Sequence, residues 1–279
     1  MAIPGKFSTL HITKIVDFGV YLDGEQLGEI LLPMKWVPEG CRPNDKLEVF
    51  IYFDSEDRLI ATTVKPKAQV GDFVLLRAKA VNDVGAFLDW GLDKDLLVPY
   101  REQKVKMTVG KYYLVYLFAD EKTGRLAGSA KLEQFFERDT SGLRVGEEVD
   151  LTIWAKSDLG HKAIINNLYE GLLYDSEIFQ ELEPGAKMKG FVVKMREDGK
   201  IDLSLFKPGY GKVDELSQKV INLLEQHQGF IGISDKSPAE EIYLMFGMSK
   251  KTFKKAIGTL YKQRIIMIED KGIRLFGKE

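Results

Sequence analysis

Two aromatic residues separated by a glycine step are the first feature able to do chemistry. The chain reads Asp17-Phe18-Gly19-Val20-Tyr21-Leu22. A glycine between rings lets the backbone bend where a side chain would clash. The alternation sets Phe18 and Tyr21 near one sheet edge, where flat rings can receive bases by stacking. Phe87 repeats this in Asp83-Val84-Gly85-Ala86-Phe87-Leu88, and a weaker version is Asp158-Leu159-Gly160-His161-Lys162-Ala163. Arg58, Arg125 and Lys200 each open a later strand candidate and can meet phosphate. The same rings can instead fill a small barrel, and charge is usual at turns.

The elements that must position these residues are written three times. Each step lies equally far behind an earlier glycine: Phe18 behind Gly5, Val84 behind Gly71 and Leu159 behind Gly146. An aliphatic strand end recurs at Gly28-Glu29-Ile30-Leu31-Leu32-Pro33, Lys94-Asp95-Leu96-Leu97-Val98-Pro99 and Gly171-Leu172-Leu173-Tyr174-Asp175-Ser176. A closing strand recurs at Arg58-Leu59-Ile60-Ala61-Thr62, Arg125-Leu126-Ala127-Gly128-Ser129 and Lys200-Ile201-Asp202-Leu203-Ser204. The landmarks at Phe18, Pro33 and Thr62 return at Val84, Pro99 and Ser129, and again at Leu159, Ser176 and Ser204. Each set shifts by a nearly constant amount. A fixed period of this kind marks a repeat architecture.

Each copy holds about five short strand candidates between Gly, Asn, Asp or Pro turns. In the first they are 10–16, 20–22, 29–32, 46–53 and 59–64. Strands at this spacing predict an all-β unit, and its length fits a five-stranded OB-type barrel. Beyond Gly211 the period becomes helical. Val213, Leu216, Val220, Leu223 and Leu224 outline one helix. Ser237-Pro238-Ala239-Glu240 reads as a capping box opening a second, which ends near Phe246-Gly247. Ser249 caps a third over 250–262, buried through Phe253, Ala256, Ile257 and Leu260. Lys250, Lys251, Lys254 and Lys255 surround its first turns. A hairpin over 265–276 completes a winged helix-turn-helix pattern. The predicted fold is therefore multidomain and mainly β: three barrels over 1–66, 67–139 and 140–210, then a winged helix over 211–279.

Bulk properties narrow the function classes. The chain has 279 residues and a formal charge of −2. From residue 212 onward there are 12 basic and 9 acidic side chains, so the tail is mildly basic and the repeats mildly acidic. Binding to a polyanion by the repeats must then rest on local patches and stacking. A single cysteine, Cys41, excludes a disulfide framework within the chain. His161 and His227 read as surface residues rather than metal ligands. No phosphate-binding loop, zinc motif or nucleophile constellation is found, so neither cofactor nor enzymatic activity is expected. The N-terminus lacks an apolar signal core, and no run reaches the roughly 18 apolar residues of a membrane span. The expected location is cytoplasmic.

On these residues the repeats resemble S1 RNA-binding domains, the OB-type barrels of ribosomal protein S1 and polynucleotide phosphorylase. The carrying features are the Phe-Gly-x-aromatic step, Gly171 to Glu177, and Gly199 to Ser204. Three such units before a winged helix resemble the virulence factor B family of bacterial RNA-binding proteins. The resemblance implies two rings at the glycine step, a histidine after Gly-Leu-x, and a basic residue opening the last strand. In the first copy Phe18, Tyr21 and Arg58 match and Leu31 replaces the histidine. In the second Phe87 and Arg125 match, while Val84 and Leu97 depart. In the third Lys200 matches, Tyr174 stands at the histidine place, and Leu159 and Lys162 replace the rings. The implied partner is single-stranded RNA, held by stacking and Lys/Arg–phosphate contacts in post-transcriptional gene regulation. Two alternatives stand beside it. One is a DNA-binding regulator, although 250–261 offers no Arg, Asn or Gln to read base edges. The other is a protein-interaction scaffold for a ribosomal or nuclease partner.

Overall fold

The computed structural model describes residues 1–175, 178, 182–196, 198–205, 215–262 and 264–276. The predicted boundary between the third barrel and the winged helix at 210–211, Val213, Ser176 and Glu177 lie outside the described residues. The first barrel comprises β1 (Phe7–Val16), β2 (Gly19–Asp23), β3 (Glu29–Pro33), β4 (Lys46–Phe53) and β5 (Leu59–Thr62), closed in the order β1-β2-β3-β5-β4. Between it and the third lie β6 (Phe73–Asn82), β7 (Gly85–Asp89), β8 (Leu96–Pro99), β9 (Tyr112–Ala119) and β10 (Leu126–Ser129), in the sheet order β10-β9-β6-β7-β8. Here β8 and β10 meet through side chains rather than a ladder. A Cβ on Gly128 would lie 2.9 Å from Val98 Cγ2 and 3.1 Å from Leu96 Cδ2. The third barrel repeats the closed order of the first with β11 (Glu148–Ser157), β12 (Gly160–Ile165), β13 (Tyr169–Tyr174), β14 (Lys187–Met195) and β15 (Ile201–Ser204).

The triplication extends to backbone detail. The long first strand of each barrel slips register between Ile12 and Lys14, Ala78 and Ala80, and Ile153 and Ala155. Such bulges bend a strand and sharpen its twist, which helps a short sheet curl shut. The glycine step has an equally specific cause. A Cβ on Gly19, Gly85 or Gly160 would lie 2.3, 2.3 and 2.0 Å from the carbonyl oxygens of Leu32, Val98 and Leu173. The neighbouring strand crosses so closely that only glycine fits.

The barrels are not separate beads. β4 buries both faces: Val49 and Ile51 fill the first barrel, while Phe50 and Tyr52 join the core of the second. Trp90 receives both rings edge-on, with centroids 5.7 Å from Phe50 and 6.4 Å from Tyr52. The second and third barrels share Phe73, Leu132, Trp154 and Ile164. Phe73 stacks on Phe136 at 5.2 Å, and its backbone N–H donates to Asn167 Oδ1 at 3.0 Å.

The register corrects two readings. Gly19 pairs with Pro33, Gly85 with Pro99 and Gly160 with Tyr174. Tyr174 therefore corresponds to Pro33 and Pro99, while Leu31 and Leu97 correspond to Leu172. The strand end of the third copy is thus Tyr174, in step with its glycine, and not Ser176. The second correction concerns His161, which is only 8% exposed. It follows its glycine as Val20 and Ala86 follow theirs, at an inward position of the strand. Its Nδ1 lies 3.2 Å from Asp175 Oδ1 but is not aligned for a hydrogen bond. His227 is exposed, as expected.

The C-terminal unit packs α1 (Glu215–Gln226), α2 (Ala239–Phe246) and α3 (Lys250–Lys262) against a small sheet. That sheet comprises β16 (Phe230–Ile231), β17 (Ile266–Glu269) and β18 (Gly272–Leu275), ordered β16-β18-β17. Phe253, Ala256, Ile257 and Leu260 are buried, as their spacing predicts. In α1 the stripe starts differently: Leu216 is exposed, and Ser217 is buried with its hydroxyl donating to the Ala256 carbonyl. The capping box does not form. Pro238 stands in the cap position, and Ser237 Oγ accepts from the Ser234 N–H at 3.0 Å. Ser249 does cap α3, its Oγ accepting from the Thr252 N–H at 3.2 Å. No helix among the described residues is long and apolar enough to cross a membrane.

Candidate nucleic-acid interface

The tip of the β1–β2 hairpin carries the most accessible ring of the predicted set. Phe18 is 58% exposed. Its carbonyl accepts the Met34 N–H at 2.9 Å, which ties the tip to the turn after β3. Tyr21 is half-buried beside it, with ring centroids 6.3 Å apart and planes at 83°. Lys14 faces Tyr21 across the hairpin, and its Nζ lies 4.5 Å over the Tyr21 ring. The ammonium also pairs with Glu29 at 2.6 Å. Lys14 and Thr13 hold the Glu29 carboxyl below its usual value; the Lys14 hydrogen bond leads and outweighs a smaller opposing effect of burial. Two rings and one exposed ammonium thus share one edge.

Arg58 is not part of that edge. Leu31 pairs with Ile60 in parallel, which places Arg58 near the Glu29 end of β3 and Phe18 near the Pro33 end. The length of the strand separates those ends by about 13 Å. Arg58 donates to Asp54 through Nε at 2.9 Å and Nη2 at 2.7 Å, and pairs with Glu56 at 2.9 Å. Burial opposes ionisation of Asp54. Backbone N–H groups of Arg58 and Glu56 and the Arg58 guanidinium outweigh it and hold the carboxyl low. Arg58 braces the β4–β5 turn.

In the second barrel the fold does bring the expected residues together. Phe87 and Arg125 line one cleft of about 570 Å³ that also includes Phe53 and Asp57 of the first barrel. Arg125 Nη2 donates to Asp57 Oδ2 at 2.6 Å, and Lys94 Nζ to Asp57 Oδ1 at 3.1 Å. Arg101, on the same cleft, donates to Asp120 Oδ2 at 3.0 Å. Both arginines remain largely exposed. At the hairpin tip, where the first barrel has Phe18, the exposed residue is Val84.

The third barrel departs furthest. Exposed Leu159 occupies the tip. Lys162 takes the place of Tyr21, pairing with Glu170 at 2.9 Å and lying 5.0 Å over the buried Trp154 ring. The Tyr174 hydroxyl sits between Arg196 and Asp202, donating to Asp202 Oδ1 at 3.1 Å. Burial, and then the hydrogen bond to Asp202, push that phenol above its ordinary value. Lys200 pairs with Asp198 at 3.1 Å.

Of the four helix lysines, two are engaged locally. Lys250 Nζ donates to the Ser237 carbonyl at 2.7 Å, and Lys254 lies 3.6 Å from Asp235. Lys251 and Lys255 are exposed. Sequence reasoning missed Lys14, Arg101 and Lys94. A signal for the first two existed. Lys14 is found by counting the hairpin back from Gly19, and Arg101 follows Pro99 as Lys35 follows Pro33.

Comparison with known proteins gives this geometry relatives. Residues 4–64 match the S1 domain model, and residues 218–275 match the CvfB-like winged helix domain. The chain is 30% identical over 269 residues to the uncharacterized protein YitL of Bacillus subtilis, covering 93% of this chain and 89% of that one. It is 29% identical over 248 residues to conserved virulence factor B of Staphylococcus aureus, covering 84% and 83% respectively. Among solved structures it is similar to a multidomain protein with nucleic acid binding domains from Streptococcus pneumoniae. That match has 24% identity, covers 98% of each chain and has a TM-score of 0.44.

Proposed function

The chain belongs to the virulence factor B family, and on that premise we propose that it is a non-enzymatic protein that holds single-stranded RNA. A nucleic-acid-binding role is supported by its S1 and winged-helix domains. RNA is the finer reading, carried by the exposed ring pair Phe18 and Tyr21 with Lys14 beside it. Unstacked bases present both faces, so sequence-tolerant stacking on such rings suits a single strand. The cleft with Phe87, Arg101 and Arg125 extends the path into the second barrel. Weak sites on one strand add through effective concentration, so partial sets of ligating residues in each barrel suffice. Regulation of gene expression after transcription is the role this binding would serve.

A salt titration with labelled single-stranded RNA tests the reading. Affinity should fall linearly on logarithmic axes, by a slope of about 0.7 for each phosphate contacted. Lys14→Gln and Arg101→Gln should each flatten that slope, while Arg58→Gln should leave it unchanged, because Arg58 lies at the far end of β3 from the ring pair and does not line the cleft. Affinity indifferent to salt would remove the proposal. One observation favours a second role. Tyr243 and Leu244 on α2 are 65% and 85% exposed, which suits a protein contact. A pulldown that survives ribonuclease and is lost with Leu244→Glu would support it.

A further inference from the structure

A glycine inside a solvent-facing helix disfavours that helix relative to alanine, so its presence calls for a reason. Gly258 lies in the second half of α3, and neither packing nor backbone conformation demands it. A Cβ built on it meets nothing within 4 Å, and no left-handed backbone requires it. At about 100° per residue, Lys251, Lys255, Gly258 and Lys262 share one side of the helix, within an arc of about 60°. The buried side, Phe253, Ala256, Ile257 and Leu260, is opposite. The three lysines on this face are exposed. Lys250 and Lys254, by contrast, turn toward Ser237 and Asp235. The face is thus a bare patch of backbone flanked by ammonium groups.

We propose that Gly258 marks the closest approach of a nucleic-acid sugar–phosphate backbone to α3, with Lys251, Lys255 and Lys262 on its phosphates. The charge of the face selects a polyanion, and the missing side chain lets that polyanion come against the helix itself. The inference rests on the nucleic-acid-binding reading and adds a contact that the barrels do not supply.

The test uses the full chain, with single-stranded RNA and duplex DNA as separate probes. Gly258→Ala should leave the winged helix as stable or more stable by hydrogen exchange. Gly258→Leu should weaken binding of at least one probe by about tenfold or more, equivalent to about 1.4 kcal/mol. Lys251→Gln with Lys255→Gln should flatten the salt slope by roughly 1.4 on RNA or 1.8 on duplex DNA. The probe affected identifies the nucleic acid that occupies the face. Wild-type affinity for both probes in Gly258→Leu would overturn this inference and leave the barrel-based reading standing. A wild-type chain that binds neither probe would overturn both.

Discussion

Replacing Phe18 and Tyr21 together by alanine is expected to weaken binding of a short single-stranded RNA by about 30-fold or more. Each base stacked on a ring contributes about 1–3 kcal/mol, so two rings together contribute at least about 2 kcal/mol. The structure makes the loss specific to binding. Phe18 is 58% exposed at a hairpin tip, so its truncation leaves no cavity in the core. Tyr21 lies on the outer side of β2, whereas its neighbours Val20 and Leu22 fill the barrel. Fluorescence anisotropy would read the effect, with an oligonucleotide too short to span two barrels. A longer RNA should show a smaller deficit, because other sites keep the strand nearby. Unchanged affinity for the short RNA, with the fold intact by hydrogen exchange, would exclude these rings as the stacking platform.

Gly160→Ala should destabilise the third barrel by more than about 3 kcal/mol, beyond the usual cost of overpacking. The added Cβ would stand 2.0 Å from Leu173 O, 2.8 Å from Tyr174 Cα and 2.9 Å from Asp175 N. All three are backbone atoms, so no side chain can swing aside. Relief requires β12 and β13 to part, which breaks the Gly160–Tyr174 end of their ladder. Gly199→Ala is the control. Its φ is +78° but nothing lies within 4 Å of the new methyl, so its cost is the left-handed backbone alone, about 1–2 kcal/mol. Trp154 sits in this barrel and reports its unfolding, alongside hydrogen exchange of the β12 and β13 amides. Equal costs for the two substitutions would mean that strand proximity does not demand the glycine.

The chain's local patterns are legible without coordinates. A glycine forced by a crossing strand recurs in each copy, and alternation marks the strands that flank it. The order and approximate position of the strands and helices follow, because their periodicity depends on neighbours close by in the chain, although the first strand begins at Phe7 rather than Leu10 and the fifth ends at Thr62 rather than Val64. The third copy misleads at one point. Its Gly-Leu-Leu segment invites alignment with Ser176 rather than Tyr174, and only the ladder from Gly160 to Tyr174 fixes the register. The inward position of His161 follows from the same ladder.

The order of residues establishes which rings and cations exist and which strand each occupies. Folding settles which of them are available. Arg125 meets Asp57 of another barrel, Lys250 turns onto the Ser237 carbonyl, and Tyr174 is tied to Asp202. The sheet faces that join barrels, Phe50 and Tyr52 onto Trp90 and Phe73 beside Trp154, were equally out of reach. The physical reason is common to both. Periodicity records the backbone's local geometry, whereas an ion pair or a shared core depends on residues far apart in the chain whose distance only the folded state sets.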